Sequence, residues 1–560
     1  MSTDKRPELP TELWLHIAEM LEPKERHKLI GLNRLFFEIA MNERYRNLSL
    51  VSPDGANLVE TMERLLNPDV AKRVRTLTIW PEEVCRAIYP ERDEPPAFKR
   101  VPIPKKPDTI WRRVKRRVSK KDTSPEPEYT VIQLPDLPRP PARRRMLKQA
   151  LKGLTNLEEL YIKRRVRLNH AWQPMPPPEQ MIMFLPTCMQ EYIWPVVRKS
   201  IRKLTLDVDS LFFEDIIPGQ DMFPRNVRHF VLRLWSSARE NFKVSDEVVP
   251  FVRQLSEKNR NLEKLSLEGD CQVIWSALGT IPNLRDLELH IPAQLIVQGP
   301  TQDTDLHQLL SRNADTIQHL SIIPVNTPRR WISSDSFDPS AEPQWSQVGA
   351  TSQATLPNLK SLKFKFPWRG QESETLEWRA ALDYFVHLGK SATSLTIQDS
   401  LSATGLESTL RAFNRIRQEP LRELHVDVTV LRPDVVEIIV KICPNLVKLN
   451  IVYGTLCPDD EPVSWTLNPA LIEAVSAKFI QQVKDRGCHP CPSLTDISLM
   501  TYAFGKGLKY HLPLMETYAG VLPSIVSFAG IRNPTEDALG HLEPKMAFLA
   551  AGSGRNSAWS

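Results

Sequence analysis

An α/β solenoid led by a short helical module is the fold class this sequence predicts, and three observations predict it. The pattern x-Leu-x-x-Leu-x-Leu returns along most of the 560 residues. Helical stretches separate many of its copies, and the first fifty residues carry a helical period without the pattern.

The N-terminal block comes first. Pro10 suits the first turn of a helix, where its missing N–H costs nothing and its φ is already helical. Leu13, Ile17 and Leu21 stand at i, i+4 and i+8, an apolar stripe down one face. Pro23 closes that helix or opens the next. Leu29, Leu32, Phe36, Ile39 and Ala40 continue at three- and four-residue steps, with Gly31-Leu32-Asn33 as the break between two short helices. About forty residues are too few to bury a self-sufficient core. The block is therefore expected to lean on the downstream repeats and to offer leftover apolar surface to a partner.

The repeats begin at Val74…Leu77…Ile79 and Leu157…Leu160…Ile162. They run on through Ile201…Leu204…Leu206, Val227…Phe230…Leu232, Leu262…Leu265…Leu267 and Leu284…Leu287…Leu289. Ile317…Leu320…Ile322, Leu359…Leu362…Phe364, Ala392…Leu395…Ile397 and Leu421…Leu424…Val426 continue the series, and Leu446…Leu449…Ile451 and Leu494…Ile497…Leu499 complete twelve copies. Helical stretches are expected over 246–259, 306–313, 406–417 and 435–442. A short strand plus a helix, repeated, resembles the leucine-rich repeat: parallel strands on a concave face, helices on a convex one, each unit burying its leucines against its neighbours. Several copies share a lead-in, as in Ile281-Pro-Asn-Leu284, Leu356-Pro-Asn-Leu359, Cys443-Pro-Asn-Leu446 and Cys491-Pro-Ser-Leu494, where proline sets a turn. One departure is visible. The asparagine usual after the last strand leucine is absent, so the repeats are irregular and no asparagine ladder is expected.

Leu9-Pro10-Thr11-Glu12-Leu13, Ile17, Leu21 and Leu32-Asn33-Arg34-Leu35-Phe36 together resemble the F-box family, over residues 8 to about 47. With the repeats, the chain is similar to fungal-type F-box proteins with irregular leucine-rich repeats. The resemblance implies a three-helix module that binds a Skp-type adaptor of a cullin–RING ubiquitin ligase through Leu9, Pro10, Ile17, Leu21, Leu29 and Leu32. Leu32 stands where many members carry Val, and Phe36-Phe37 replaces a single aromatic. The bland alternative is a helical cap that shields the first repeat.

Composition narrows the setting. No run reaches the eighteen apolar residues a membrane span needs. Seven cysteines among 560 residues fit a reducing compartment, so cytoplasm, nucleus or both is the expected location. Twelve prolines lie between Pro90 and Pro141, and residues 99–148 hold 16 Lys+Arg against 5 Asp+Glu. The net charge of +6 is thus local, and residues 90–150 are expected to be a disordered basic insertion. Within it, the run from Trp111 to Val118 has three readings: a solvated segment, a nuclear import signal, or an acid-binding patch. The expected division is 1–47 helical module, 48–89 first repeat region, 90–150 insertion, 151–530 solenoid and 531–560 tail.

Nothing nominates catalysis or a cofactor. No phosphate-cradling glycine loop or metalloprotease motif occurs, and Cys488-His489-Pro490-Cys491 shares its last residue with the repeat lead-in, so no metal is assigned. Binding is left to residues flanking the strand leucines, which point to the other face. Tyr161, Lys203, Arg233, Lys264, Asp286, Glu288, Lys363, Lys365, Glu423 and His425 form the candidate substrate face. Its mixed signs suit a protein and argue against nucleic acid. The expected function is a substrate receptor of a cullin–RING ligase, not an enzyme. The alternative is a repeat scaffold outside ubiquitination, nuclear through its basic insertion.

Overall fold

All twelve motif copies are β-strands, and the two inner apolar residues of each are buried. The computed structural model describes residues 9–21, 23–51, 55–89, 98–102, 129–133, 138–164, 179–209, 212–235, 248–269, 272–292, 305–325, 355–365, 376–458, 469–487, 489–501 and 511–532. The chain parts into two compact units, Met1–Val227 and Arg228–Ser560.

The first unit opens with α1 (Thr11–Met20), α2 (Pro23–Lys28) and α3 (Arg34–Arg46). Pro10 stands at the N-cap of α1, Pro23 opens α2, and the Asn33 side chain caps α3 by accepting from the Phe36 N–H at 2.9 Å. No linker intervenes before the repeats, because α3 runs straight into strand β1 (Asn47–Leu50). After β1 come α4 (Gly55–Leu65), α5 (Pro68–Ala71), β2 (Thr76–Ile79) and α6 (Pro81–Ile88). An antiparallel pair, β3 (Phe98–Pro102) and β4 (Tyr129–Gln133), precedes α7 (Pro140–Lys152) and β5 (Glu159–Arg164). Helices α8 (Glu179–Cys188) and α9 (Trp194–Val197), strand β6 (Lys203–Asp209) and α10 (Phe213–Ile216) complete it. Its main strands lie parallel in the order β1-β2-β5-β6.

The second unit alternates β7 (His229–Trp235), α11 (Val248–Lys258), β8 (Lys264–Gly269), α12 (Gln272–Ala277), β9 (Asp286–Pro292), α13 (Asp305–Arg312) and β10 (His319–Val325). It continues with β11 (Ser361–Phe364), α14 (Leu376–Leu388), β12 (Ser394–Leu401), α15 (Ala403–Ile416), β13 (Glu423–Leu431), α16 (Val435–Ile442) and β14 (Lys448–Leu456). Helix α17 (Pro469–Arg486), β15 (Asp496–Thr501), α18 (Leu512–Val521) and a closing hairpin, β16 (Ser527–Phe528) and β17 (Ile531–Arg532), end it. Each strand pairs in parallel with the next, from β7 to β16.

The expected disordered insertion is corrected at two points. Residues 98–102 pair with 129–133, and residues 140–152 are a helix whose Leu147, Ala150 and Leu151 are buried. Proline at the start of α7 is helix-compatible, so a proline-rich composition misled at that end. The run from Trp111 to Val118 lies outside the described residues, as do Cys488 and 533–560.

An asparagine ladder also exists, displaced to the lead-in turn. The side-chain amides of Asn156, Asn226, Asn283 and Asn358 donate to the carbonyls of Lys72, Lys199, Arg260 and Asp315, at 2.7, 2.9, 2.7 and 2.7 Å. The hydroxyls of Ser391, Ser493 and Ser524 do the same to Leu356, Pro444 and Cys491 at 2.7, 2.7 and 2.8 Å. Each bond satisfies a carbonyl in the turn of the preceding repeat, where the backbone makes no ladder bond of its own. In the second unit the helical layer is knitted to the strands by stacked rings. Phe364 of β11 stacks on Phe385 at 4.4 Å and on Phe413 at 5.8 Å, and Gly389 lets them close up, since a Cβ there would meet Phe413 at 2.8 Å.

Candidate functional site

Two surfaces, one in each unit, gather the residues that the sequence nominates. In the helical module the inward side of α1 is Trp14 and Ala18, packed on Phe36 and Ala40 of α3. The Trp14 and Phe36 rings meet edge to face at 5.8 Å, and Phe36 is fully buried. The Arg26 guanidinium fastens α2 to both neighbours through Glu43 at 3.0 Å and the Ala18 carbonyl at 3.3 Å. The helical period therefore carries two apolar sides where the sequence pattern suggests one. Leu13, Ile17 and Met20 face outward, joined by Leu9, Leu32 and Phe37 in the set of exposed large apolar residues. Of the six residues nominated for adaptor binding, Leu32 is 55% exposed, Leu9 45% and Ile17 37%. Pro10 is exposed as well, while Leu21 and Leu29 are half-buried.

The module is anchored, not dangling. Arg73, at the turn before β2, pairs with Glu38 of α3 at 2.6 Å and donates to Asn42 at 2.6 Å, and Arg75 pairs with Glu158 at 2.9 Å. These groups line an open cleft of about 650 Å³ between α3 and the first repeats. On the strand side of this unit Tyr161 donates to Asp207 at 2.6 Å, and Lys203 pairs with Glu159 at 3.1 Å. Asp207 is buried, and the Tyr161 hydroxyl satisfies its carboxylate. Sequence reasoning missed Arg164. Its guanidinium is buried, lies 3.6 Å from the centre of the Phe212 ring and faces Asp215 at 3.5 Å. Burial lowers the Arg164 pKa, and burial raises that of Asp215.

The other eight nominated face residues belong to the second unit. Strand register lines them up in columns: Lys264, Asp286 and His319 stand side by side, then Ser266, Glu288, Ser321 and Lys363, then Arg233, Glu268 and His290. Further along, Glu423 neighbours Lys448, and His425 neighbours Thr396 and Asn450. Ionisable partners meet within a column and along single strands. Arg233 pairs with Glu268 at 2.8 Å, His290 with Glu288 at 3.1 Å, and His425 with Asp427 at 3.5 Å. The hydrogen bond from His290 holds the Glu288 carboxyl down at about 2 against the opposing effect of burial, and Lys264 and Lys363 add their attraction. Burial lowers the Lys363 amine, while Glu288 and Asp427 on either side pull it back up. Lys365 lies just past the end of β11 and continues the ladder by donating its N–H to the Ile322 carbonyl at 3.2 Å. Charge alone guides the sequence reading, so it misses Ser321, Gln398 and Ser498. Ser321 and Ser498 sit in the Glu288–Lys363 column, and Gln398 is two residues past Thr396. The Oγ atoms of the serines and the Oε1 of Gln398 have no hydrogen-bond partner among the described residues. Such groups are costly to bury unsatisfied. Polar residues at alternate strand positions are the signal that could have found them.

Cys491 and Cys443 occupy equivalent lead-in turns, and the Cys491 thiol lies 3.4 Å from the Pro444 carbonyl. Burial pushes the Cys443 thiol up to about 11. Among the described residues no group of His, Cys, Asp and Glu is arranged to hold a metal ion, and no helix is long and apolar enough to cross a membrane.

The parallel register, the buried apolar pair in each of the twelve motif strands and the lead-in bonds define a leucine-rich repeat architecture. No protein-family profile matches the chain, and no curated protein matches it. Among solved structures it is similar to the leucine-rich repeat-containing protein LegL7 from Legionella pneumophila. The two are 14% identical with a TM-score of 0.32, over 60% of this chain and 93% of that one. At that score the likeness adds nothing to what the strand register shows directly.

Proposed function

We propose that this chain is the substrate receptor of a cullin–RING ubiquitin ligase, binding a Skp-type adaptor through α1–α3 and a protein through its repeats. The observation that carries the reading is the exposed apolar set Leu9, Ile17 and Leu32, left outside a module whose inner side is already packed by Trp14 and Phe36. Exposed apolar side chains gathered on one small module mark a contact surface, and these are residues of the F-box-like pattern. The mixed, half-buried charges along the second unit's strand face fit a protein partner of complementary polarity. The contribution to catalysis would be proximity, with no residue of the chain in the chemistry. No enzyme activity, cofactor or metal is proposed, and the location proposed is cytoplasm or nucleus.

The test is co-purification with a Skp-type adaptor, wild type against Ile17→Asp. Ile17 faces outward, so the variant should keep its circular dichroism spectrum while losing the adaptor. A wild-type chain that fails to bind the adaptor sinks the reading. Retained binding by a folded Ile17→Asp chain removes α1 from the contact.

A further inference from the structure

Helix α7 carries a charge pattern that its own stability does not explain. Between Arg139 and Lys152 stand six cations, Arg139, Arg143, Arg144, Arg145, Lys148 and Lys152, and no acid. Two of them are used by the fold. Arg143 is buried and donates to the carbonyls of Pro138 at 2.7 Å and Ala87 at 2.9 Å, and Arg144 lies over the Tyr89 ring at 5.1 Å. Arg145, Lys148 and Lys152 are exposed, and none has an ionic partner among the described residues. They fall at i, i+3 and i+7, one face of the helix opposite the buried Leu147, Ala150 and Leu151.

A helix selected for stability would carry acids in its first turn and opposite charges three or four residues apart. Here the first turn has no acid, and like charges stand at 145/148, 148/152 and 144/148, where they repel. Only Lys152, in the last turn, gains from the helix dipole. Local rules broken without a structural return point to use elsewhere.

We infer that the Arg145–Lys148–Lys152 face of α7 docks an acidic segment of a protein partner, through residues other than those proposed to bind the adaptor. The stripe spans roughly 10 Å at 1.5 Å per residue, a reach suited to three or four carboxylates. A nucleic acid is the poorer occupant. The stripe offers no exposed aromatic ring for base stacking, and three cations on one helical face are too few to track a phosphate backbone.

The full chain is titrated with a fluorescein-labelled fifteen-residue glutamate homopeptide and, in parallel, a fifteen-base-pair DNA duplex, at low and physiological salt. Arg145→Glu/Lys148→Glu/Lys152→Glu should weaken homopeptide binding by roughly tenfold or more, with salt weakening what remains. Arg145→Lys should bind as the wild type does. Arg112→Gln/Arg113→Gln/Lys115→Gln/Arg116→Gln should keep most of the affinity, which separates α7 from the basic run before it. The reversal variant should melt within about 4 °C of wild type, giving up only the small dipole gain of Lys152, because the fold does not otherwise need the stripe. Wild-type-like binding by the reversal variant overturns the inference, as does a wild-type chain that ignores the homopeptide. Tighter binding of the duplex than of the homopeptide transfers the site to phosphate and overturns the acidic-protein assignment. A melting temperature lowered by more than that in the reversal variant would return the three cations to the fold.

Discussion

Leu9, Ile17 and Leu32 in the helical module stand out from a core that is already complete, whereas Arg233, Glu268, Glu288, His290, His425 and Asp427 in the second unit are engaged with one another. If both surfaces bind as proposed, they hold their free energy in different forms. Apolar area returns about 25 cal/mol per Å² when water leaves it, whatever apolar group covers it. Paired charges return little until a partner replaces what they already have, so they select among partners more than they attract them. A chain with the first kind of surface on a small module and the second along its strands separates a contact of constant identity from a contact that discriminates.

The sharpest way to break this comparison is on the inner side of the module. Phe36 and Phe37 are adjacent, yet one is fully buried against Trp14 and the other is exposed. Phe36→Ala should cost the first unit about 3–5 kcal/mol, the range for truncating a buried aromatic, read from denaturant midpoints. Phe37→Ala should cost under about 0.5 kcal/mol, as surface changes usually do. Equal costs would mean that the module has no distinct inside.

The inner side of the second unit has its own weak point near the last helix. His511 is buried at the N-cap of α18, where its Nδ1 and the Tyr453 hydroxyl share a hydrogen bond at 2.9 Å and its Nε2 has no partner among the described residues. Burial lowers its pKa from 6.5 to about 4, and the positive helix terminus opposes a charge there too. The unfolded chain thus binds a proton below pH 6.5 that the folded chain refuses. Stability conferred by neutral His511 is fully present above about pH 6.5 and is lost as pH falls toward 4. At 1.36 kcal/mol per pKa unit the loss amounts to about 3 kcal/mol. His511→Gln should flatten the melting temperature between pH 6.5 and 4; an unchanged slope would refute the role of this imidazole.

How much of the structure is legible in the sequence differs between the regions for physical reasons. The strands are readable because the leucine pattern is a direct consequence of burial on one face, and all twelve copies are strands. Strand β1 escapes because the first position of its motif is Tyr45, the penultimate residue of α3. The lead-in asparagines read as turn formers, but their bond to the preceding repeat is a long-range fact that only the stacked register reveals. In the module the outward apolar stripe is legible in the sequence, but the second, inward one is not. Leu13, Ile17 and Leu21 read as one stripe, yet the face turned inward is one step round, at Trp14 and Ala18. Helical periodicity fixes which residues share a face but not which face is covered.

The finest test of the comparison is the charge ladder itself. Arg233 and Glu268 lie on neighbouring strands, 2.8 Å apart, with side chains 40% and 19% exposed. Single truncations would mislead, because Glu268 keeps a further contact beside Arg233. A double-mutant cycle with Arg233→Ala and Glu268→Ala isolates the pair, and its coupling should be about 0.2–1 kcal/mol, falling with added salt. A value in that range means the face can exchange its internal pairs for those of a partner at small cost, as a selecting surface requires. A coupling of several kcal/mol, insensitive to salt, would make the ladder part of the scaffold. The discriminating contact would then have to lie elsewhere on the second unit.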